Sequence, residues 1–286
     1  MRRKIICAVF SLLASTQLSA LEITEEDYGG IPHFIIKTRI ATYYYDKFGG
    51  GFSSIVDRDG LDWISYKTEP SDTFPASAAS SYRGLPNFVH TNEDSGVGHP
   101  GRNKCVSIVL NKRSIKTIAK SGKWEWTWVF YENFAEVTMD RVDPENKYWF
   151  LYQGPIAGSY QPDNEYWGTN LGGPRFEAND FKKNDLIYGN WWWVYFGDKN
   201  IDRIFFVSMK KQDVYLDTFS YLGNAENVKD SEDGMVVFGF GRMMDSQPLL
   251  KDSENKFIIG FIEHKVANAR QHNRAKTRIE KTIGFK

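Results

Sequence analysis

Residues 81–104, SYRGLPNFVHTNEDSGVGHPGRNK, gather the groups with the clearest capacity for chemistry: His90 and His99, two of the chain's five histidines, with Tyr82, Arg83, Asn87 and Arg102 close by. Histidine exchanges a proton near neutral pH, tyrosine does so where its surroundings lower its pKa, and arginine grips a carboxylate through two parallel hydrogen bonds. Together these are the parts needed to remove a proton beside a carboxylate. The plainer reading is that both histidines bond to loop backbone and Arg83 makes a surface ion pair. A second stretch, QGPIAGSYQPDNEYWGTNLGGPRF, sets Tyr160, Tyr166, Trp167 and Arg175 among short polar residues. That mix suits a sugar, with flat rings for the apolar side of a pyranose and polar groups for its hydroxyls. The alternative is a rigid loop whose aromatics fold back on the core.

Other patterns carry less. Glu93 and Asp94 could join His90 and His99 as ligands, yet the spacing matches no zinc pattern, and His264 or His272 would have to reach in from far along the chain. The run DRDGLD, Asp57 to Asp62, lacks the closing glutamate of a calcium loop and reads as a hairpin turn. No metal or other cofactor is expected. Gly49-Gly50-Gly51 has no phosphate-loop continuation and reads as a bulge or tight strand entry. No G-x-S-x-G elbow is present and Cys105 opens a strand-like run, so serine or cysteine nucleophile chemistry has little support. Asp163, Glu165 and Glu177 are the carboxylates a glycosidase would draw on.

The elements that must position these groups are strands. HFIIKTRIATYYYDK, KCVSIVLNK, SIKTIAK, KWEWTWVFY, FAEVTMDRV, KYWFLYQG, WWWVYFG, RIFFVSMKK, GMVVFGFGR and KFIIGFIEHKV are rich in β-branched and aromatic residues and bounded by Gly, Asn, Asp or Pro. In KWEWTWVFY the alternation puts Trp124, Trp126 and Trp128 on one face, predicted to be buried, and Glu125 and Thr127 on the other. Trp191 and Trp193 are expected to face one way and Trp192 the other. Turn signals at Asp57 to Gly60 and Lys120 to Lys123 have hairpin spacing. Helical periodicity is weak until Val266, after which a short basic helix or a frayed tail follows. The pattern predicts an all-β protein, a large antiparallel β-sandwich with long loops near 67–103 and 154–190.

Residues 1–20 have a basic start at Arg2, Arg3 and Lys4, an apolar run of about ten residues and a small-residue exit at Ala20, the pattern of a secretory signal. A secreted or periplasmic protein is expected, with 21–286 as one β-sandwich domain and no membrane span. Cys105 is the lone cysteine after this segment, so stability must come from a packed core. Lys plus Arg and Asp plus Glu both total 36, and removing the signal leaves a slight negative excess. Nucleic acid and anionic membrane are therefore poor partners. Aromatic residues make up 15% of the chain, more than a core alone requires, which favours stacking on a ligand.

The stretch YYYDKFGGGFSSIVDRDGLDWISY, from Tyr43 to Tyr66, resembles the opening hairpin of galactose-mutarotase-like proteins, whose fold is a β-supersandwich. With YRGLPNFVH, HPG, KYWFLYQGPIAG, VYFGDK and VFGFGR, the whole chain looks like a group of secreted bacterial proteins that accompany polysaccharide breakdown. This fold hosts aldose epimerases, polysaccharide lyases and accessory domains of glycosidases, so likeness leaves function open. Mutarotases usually pair a histidine with a glutamate base, and Glu263-His264 in a late strand departs from that pattern. Lyases of this fold commonly use Tyr and His with an Arg or Asn that neutralises a uronate. The resemblance thus implies a lyase acting on an acidic polysaccharide by β-elimination, with His90 as base, Tyr82 or Tyr166 as acid, and Arg83, helped by Asn87 or Arg102, on the carboxylate. His99, Tyr160, Trp167 and Arg175 would bind substrate. A glycoside hydrolase, a non-catalytic glycan-binding protein and a sugar epimerase are the alternatives.

Overall fold

The structure, a computed structural model, describes residues 21–67, 82–90, 92–176, 185–211, 215–222, 234–243 and 246–284. The signal segment and Glu177 lie outside these residues. Two layers face each other. One is a nine-stranded antiparallel sheet in the order β11 (Gly172–Arg175), β10 (Glu165–Thr169), β13 (Trp193–Asp198), β14 (Ile204–Met209), β19 (Lys256–Ile262), β8 (Phe134–Arg141), β7 (Glu125–Phe130), β6 (Ser114–Ala119) and β5 (Cys105–Asn111). The other is built from two four-stranded antiparallel sheets. Its first half is β1 (Glu22–Tyr28), β2 (Ile31–Lys37), β3 (Ala41–Asp46) and β4 (Phe52–Asp57), in chain order. Its second half runs β12 (Asp185–Ile187), β15 (Asp217–Leu222), β16 (Met235–Phe240) and β9 (Phe150–Gly154). A short ribbon, β17 (Arg242–Met243) with β18 (Gln247–Pro248), completes the strands described.

What joins the two halves is the segment expected to be an irregular loop. Gly84 and Gln153 exchange backbone hydrogen bonds at 2.8 and 3.0 Å, Leu151 N donates to Pro86 O, and Trp149 N donates to Phe88 O. On its other side Phe52 N donates to Leu85 O at 2.6 Å. Residues 84–88 therefore run between β4 and β9 and stitch the two sheets into one layer. The glycines and prolines mark close packing here, not irregularity. A Cβ on Gly84 would meet the Pro100 ring at 2.6 Å, and one on Gly51 would meet Gly98 O at 2.3 Å. Gly49 to Gly51 form the tight entry into β4, as the sequence suggested.

Between the layers lies an aromatic core. Trp124, Trp126 and Trp128 are all fully buried, as their alternation predicts, and Trp128 meets Phe52 edge-on from the opposite layer at 4.8 Å. Phe34, Tyr43, Tyr45, Phe150, Tyr152 and Phe238 enter the same core. Buried rings of this size dominate core energetics, which is how the chain holds together with Cys105 free. Cys105 donates to Gly49 O, and burial pushes its thiol up to about 12. Arg203, almost wholly enclosed, ties the layers at one end. It contacts Asp57 at 2.6 Å and Asp59 at 2.9 Å from the stitched layer, and forms a two-pronged contact with Glu263 at 3.1 Å beyond β19.

Of the two alternatives for the C-terminus the helix holds, and one expectation, for Trp191 and Trp193, changes. The C-terminal segment is a docked helix, α1 (Ala269–Ile283), capped by Asn268 and ended by Gly284 in the left-handed region, with Ala275, Ile279 and Ile283 buried against the outer side of the nine-stranded sheet. Trp191 packs into the core between the layers, whereas Trp193 packs under α1. The strand begins only at Trp193, so its alternation does not extend back to Trp191.

Candidate functional site

The side of the stitched layer that faces away from the core carries the polar groups. In β2 and β3, Phe34, Ile36, Tyr43 and Tyr45 point into the core, so His33 and Tyr44 point outward by alternation. Tyr28 joins them, 4.3 Å from Tyr44 and 5.3 Å from His33 between ring centroids. In β4 the register slips against Tyr44 and Tyr45, leaving Ser53 as an extra, unpaired residue. A bulge re-aims a side chain, and here it delivers Ser53 Oγ to 2.5 Å from His33 Nε2 across β3. His33 Nδ1 lies 2.7 Å from Ile31 O, which requires its N–H on that nitrogen and leaves Nε2 to accept the Ser53 hydroxyl. Burial lowers the pKa of His33, against the Ile31 contact and the charges of Asp46 and Asp27, so the imidazole is neutral at neutral pH.

This pair borders a cavity of about 430 Å3 lined by Tyr28, Gly29, Ile31, His33, Ser53, Tyr66 and Lys67. Tyr66 leaves β4's neighbourhood with its N–H bonded to Ser53 O. Its phenol abuts Gly101, where a Cβ would stand 1.7 Å from the oxygen. Burial raises the pKa of Tyr66, with the nearby Arg102 charge pulling it down and Asp46 pushing it up. The phenol is thus protonated at neutral pH. Asp46 itself accepts from Phe48 N, Gly49 N and Gly101 N, holding both turns that frame the site.

The candidates from the 81–104 stretch divide. His99 meets the Tyr66 ring edge-on at 6.0 Å, but its Nδ1 and Nε2 lie 2.6 and 2.8 Å from the carbonyl oxygens of Pro100 and Tyr82. Both ring nitrogens face backbone, the plainer of the two readings, and the neutral ring donates to one of the two carbonyls. Burial lowers its pKa against those two contacts. Arg83 is buried, with Nη1 donating to Ser65 O and Nη2 to Gly234 O, so it props the turn that presents Tyr66. Tyr82 is exposed beside them, and Tyr160 packs on Gly234. Asn87 donates to Gln153 Oε1 at 2.7 Å. His90 lies elsewhere. It stacks on Trp149 at 5.0 Å, just before β9 and four residues from Gln153 of the Gly84 bridge, which is about 13 Å at strand spacing.

The second stretch does not reach this site with its rings. Tyr166 and Trp167 form part of β10 and are buried on opposite faces of the nine-stranded sheet. The Tyr166 hydroxyl accepts from Val266 N under α1, and Trp167 stacks on Phe219 in the core with the Arg175 guanidinium 4.7 Å from its ring centroid. Strand propensity overrode the Gly and Pro punctuation there. Conversely, sequence reasoning missed His33, Ser53, Tyr66 and Lys67. His33 reads as one polar position in an apolar strand, and only the bulge at Ser53 makes a pair of them. Among the described residues no cluster of histidine, cysteine and carboxylate groups could hold a metal, and no helix is long and apolar enough to cross a membrane.

No family model and no curated protein sequence matches the chain. Solved structures do. The crystal structure of HI1317 superposes with a TM-score of 0.52 at 12% identity, covering 89% of this chain and 98% of that one. A candidate mutarotase, YeaD from Salmonella typhimurium, gives 0.51 at 8% identity, with 87% and 96% covered. The chain has the galactose-mutarotase-like β-sandwich fold. Paenibacillus xanthan lyase fits more loosely, at 0.48 and 12% identity, and matches 92% of this chain over 27% of its own length. At these identities the galactose-mutarotase-like likeness speaks for architecture alone, and chemistry must be argued from the site.

Proposed function

We propose that this protein is a polysaccharide lyase that cleaves a uronate-containing glycan by β-elimination at the cavity between His33 and Tyr66. The observation that carries the reading is that a neutral hydroxyl–imidazole pair and a protonated phenol border the same cavity, with Lys67 in its wall and Arg102 beside the phenol. Lys67 and Arg102 neutralise the uronate carboxylate, which acidifies the adjacent C–H. Ser53 Oγ takes that proton while passing its own to His33 Nε2. Tyr66 protonates the departing glycosidic oxygen as the double bond forms. Positioned proton transfer of this kind contributes about 10²–10⁴ in rate, and cations fixed against the developing enolate add to it. Arg83 and His99 hold the two turns in place. Export, read from residues 1–20, suits a polymer substrate.

Incubation with alginate, glucuronan, pectate and glycosaminoglycans tests this reading through the ultraviolet absorbance of an unsaturated uronide. Absorbance that disappears in Tyr66→Phe supports it, and silence across the panel overturns it. The mutarotase description of YeaD makes sugar epimerisation the second reading, since the same neutral base and phenolic acid could open an aldose ring. A change in optical rotation without chain cleavage would select it.

A further inference from the structure

Both layers end in an open strand of seven residues. Among the described residues β1 pairs only with β2, and β5 only with β6. Unpaired edge N–H and C=O groups are a template for another strand. The two edges differ sharply in charge. Within β1, Glu22, Glu25, Glu26 and Asp27 are acidic and no residue is basic. From Lys104 to Lys123 the chain carries Lys104, Lys112, Arg113, Lys116, Lys120 and Lys123, and no acid; Lys116 pairs with Glu125 and Lys123 with Glu93 and Asp143, while on the acidic edge Glu25 pairs with Lys47.

The β5 end also exposes an apolar row. Val106 and Ile108 alternate onto one face and are each 50% exposed, Leu110, the extra residue where the register slips between Val109 and Asn111, is also 50% exposed, and Ile118, opposite Val106 on β6, is 37% exposed. The helix α1 covers the far half of the sheet, and among the described residues no helix lies over this half. A contiguous apolar row rimmed by lysines marks an interaction surface rather than scattered surface residues.

We propose that the β1 edge of a second copy of this chain pairs with the β5 edge, joining molecules head to tail. Charge selects this pairing over the symmetric ones. Two β5 strands laid antiparallel about their centre would oppose Lys104 to Lys112, and two β1 strands would oppose acid to acid, both destabilising. An acidic strand along β5 instead places carboxylates between the flanking lysines and covers the side of the apolar row. Each copy keeps one free edge of each kind, so the contact repeats into a ring or an open chain. The inference is independent of the proposed catalysis.

Sedimentation velocity on the mature full chain tests it. At low ionic strength the mass is expected to rise with protein concentration, and to return to the monomer near 1 M salt, where the screening length is about 3 Å. Ile108→Glu, which sets a carboxylate against the acidic β1 edge, and separately Glu22→Lys with Glu26→Lys, should each be monomeric while keeping the wild-type circular dichroism. Mixed in equal amounts they should form a dimer, because one retains a good β1 edge and the other a good β5 edge. A monomer at every concentration and ionic strength overturns the proposal. So does association that survives in either variant alone, or a mixture that stays monomeric.

Discussion

At the scale of single residues, the site depends on one extra residue in a strand and one missing side chain. Ser53 reaches His33 because β4 slips by a residue against β3, and Tyr66 reaches the cavity wall because position 101 has no Cβ. Gly101 combines a φ of +77° with contact against the Tyr66 phenol. Gly101→Ala is therefore expected to lose most activity and to destabilise the fold by about 1–3 kcal/mol, the usual range for a strained backbone position. Chemical denaturation and the rate of uronide formation check the two halves of that statement. Neither Ser53 nor Gly101 could be given its role from the sequence. A bulge depends on which strand the residue pairs with, and a close approach depends on residues brought together from 35 positions apart. The histidines of 81–104 were visible by type, yet their partners were not. His99 turns both nitrogens toward backbone carbonyls and, as a neutral ring, donates to one of them, and His90 stacks on Trp149 at the far end of the stitching segment.

At the scale of elements, strand-forming runs and their buried faces were legible because alternation is a local property. Trp124, Trp126 and Trp128 are buried as expected, and the turns at Asp57 to Gly60 and Lys120 to Lys123 are where they were read. Punctuation by Gly, Pro and Asn misled in two places. Residues 84–88 bridge two sheets, and 165–175 hold β10 and β11. The clamp at Arg203 ties β4's turn to β14 and β19, and removing one member of a buried charge group leaves the others uncompensated. Arg203→Ala should cost about 3–5 kcal/mol, read as a shift of the denaturation midpoint. A cost under about 1 kcal/mol would show that the layers hold without it. Helix α1 offers a milder test. Asn268 Oδ1 accepts from Gln271 N at 3.0 Å, so Asn268→Ala should cost about 1 kcal/mol with little effect at the remote cavity.

For the whole molecule, acid is the weak side. His33, His90, His99, His264 and His272 all have pKa values lowered chiefly by burial. Each is neutral in the fold and takes up a proton more readily once unfolded. That stabilisation is complete above the unfolded histidine value of about 6.5 and is lost as the pH falls below it toward each folded value. The melting temperature should therefore drop between about pH 6.5 and 5, before carboxylates protonate. Replacing His99 by an uncharged residue that preserves the fold should flatten part of that slope.

The central claim is that neutral His33, acting through Ser53, takes the proton from the carbon beside the uronate carboxylate while Tyr66 gives its own proton to the leaving oxygen. The most direct measurement is the pH dependence of unsaturated-uronide formation from an acidic polysaccharide, in the wild type and in His33→Ala. Activity should be present at neutral pH and fall as His33 gains a proton below the ordinary histidine range, and the variant should lose about 10²-fold or more together with that limb. An unchanged rate and an unchanged acid limb in His33→Ala would contradict the account.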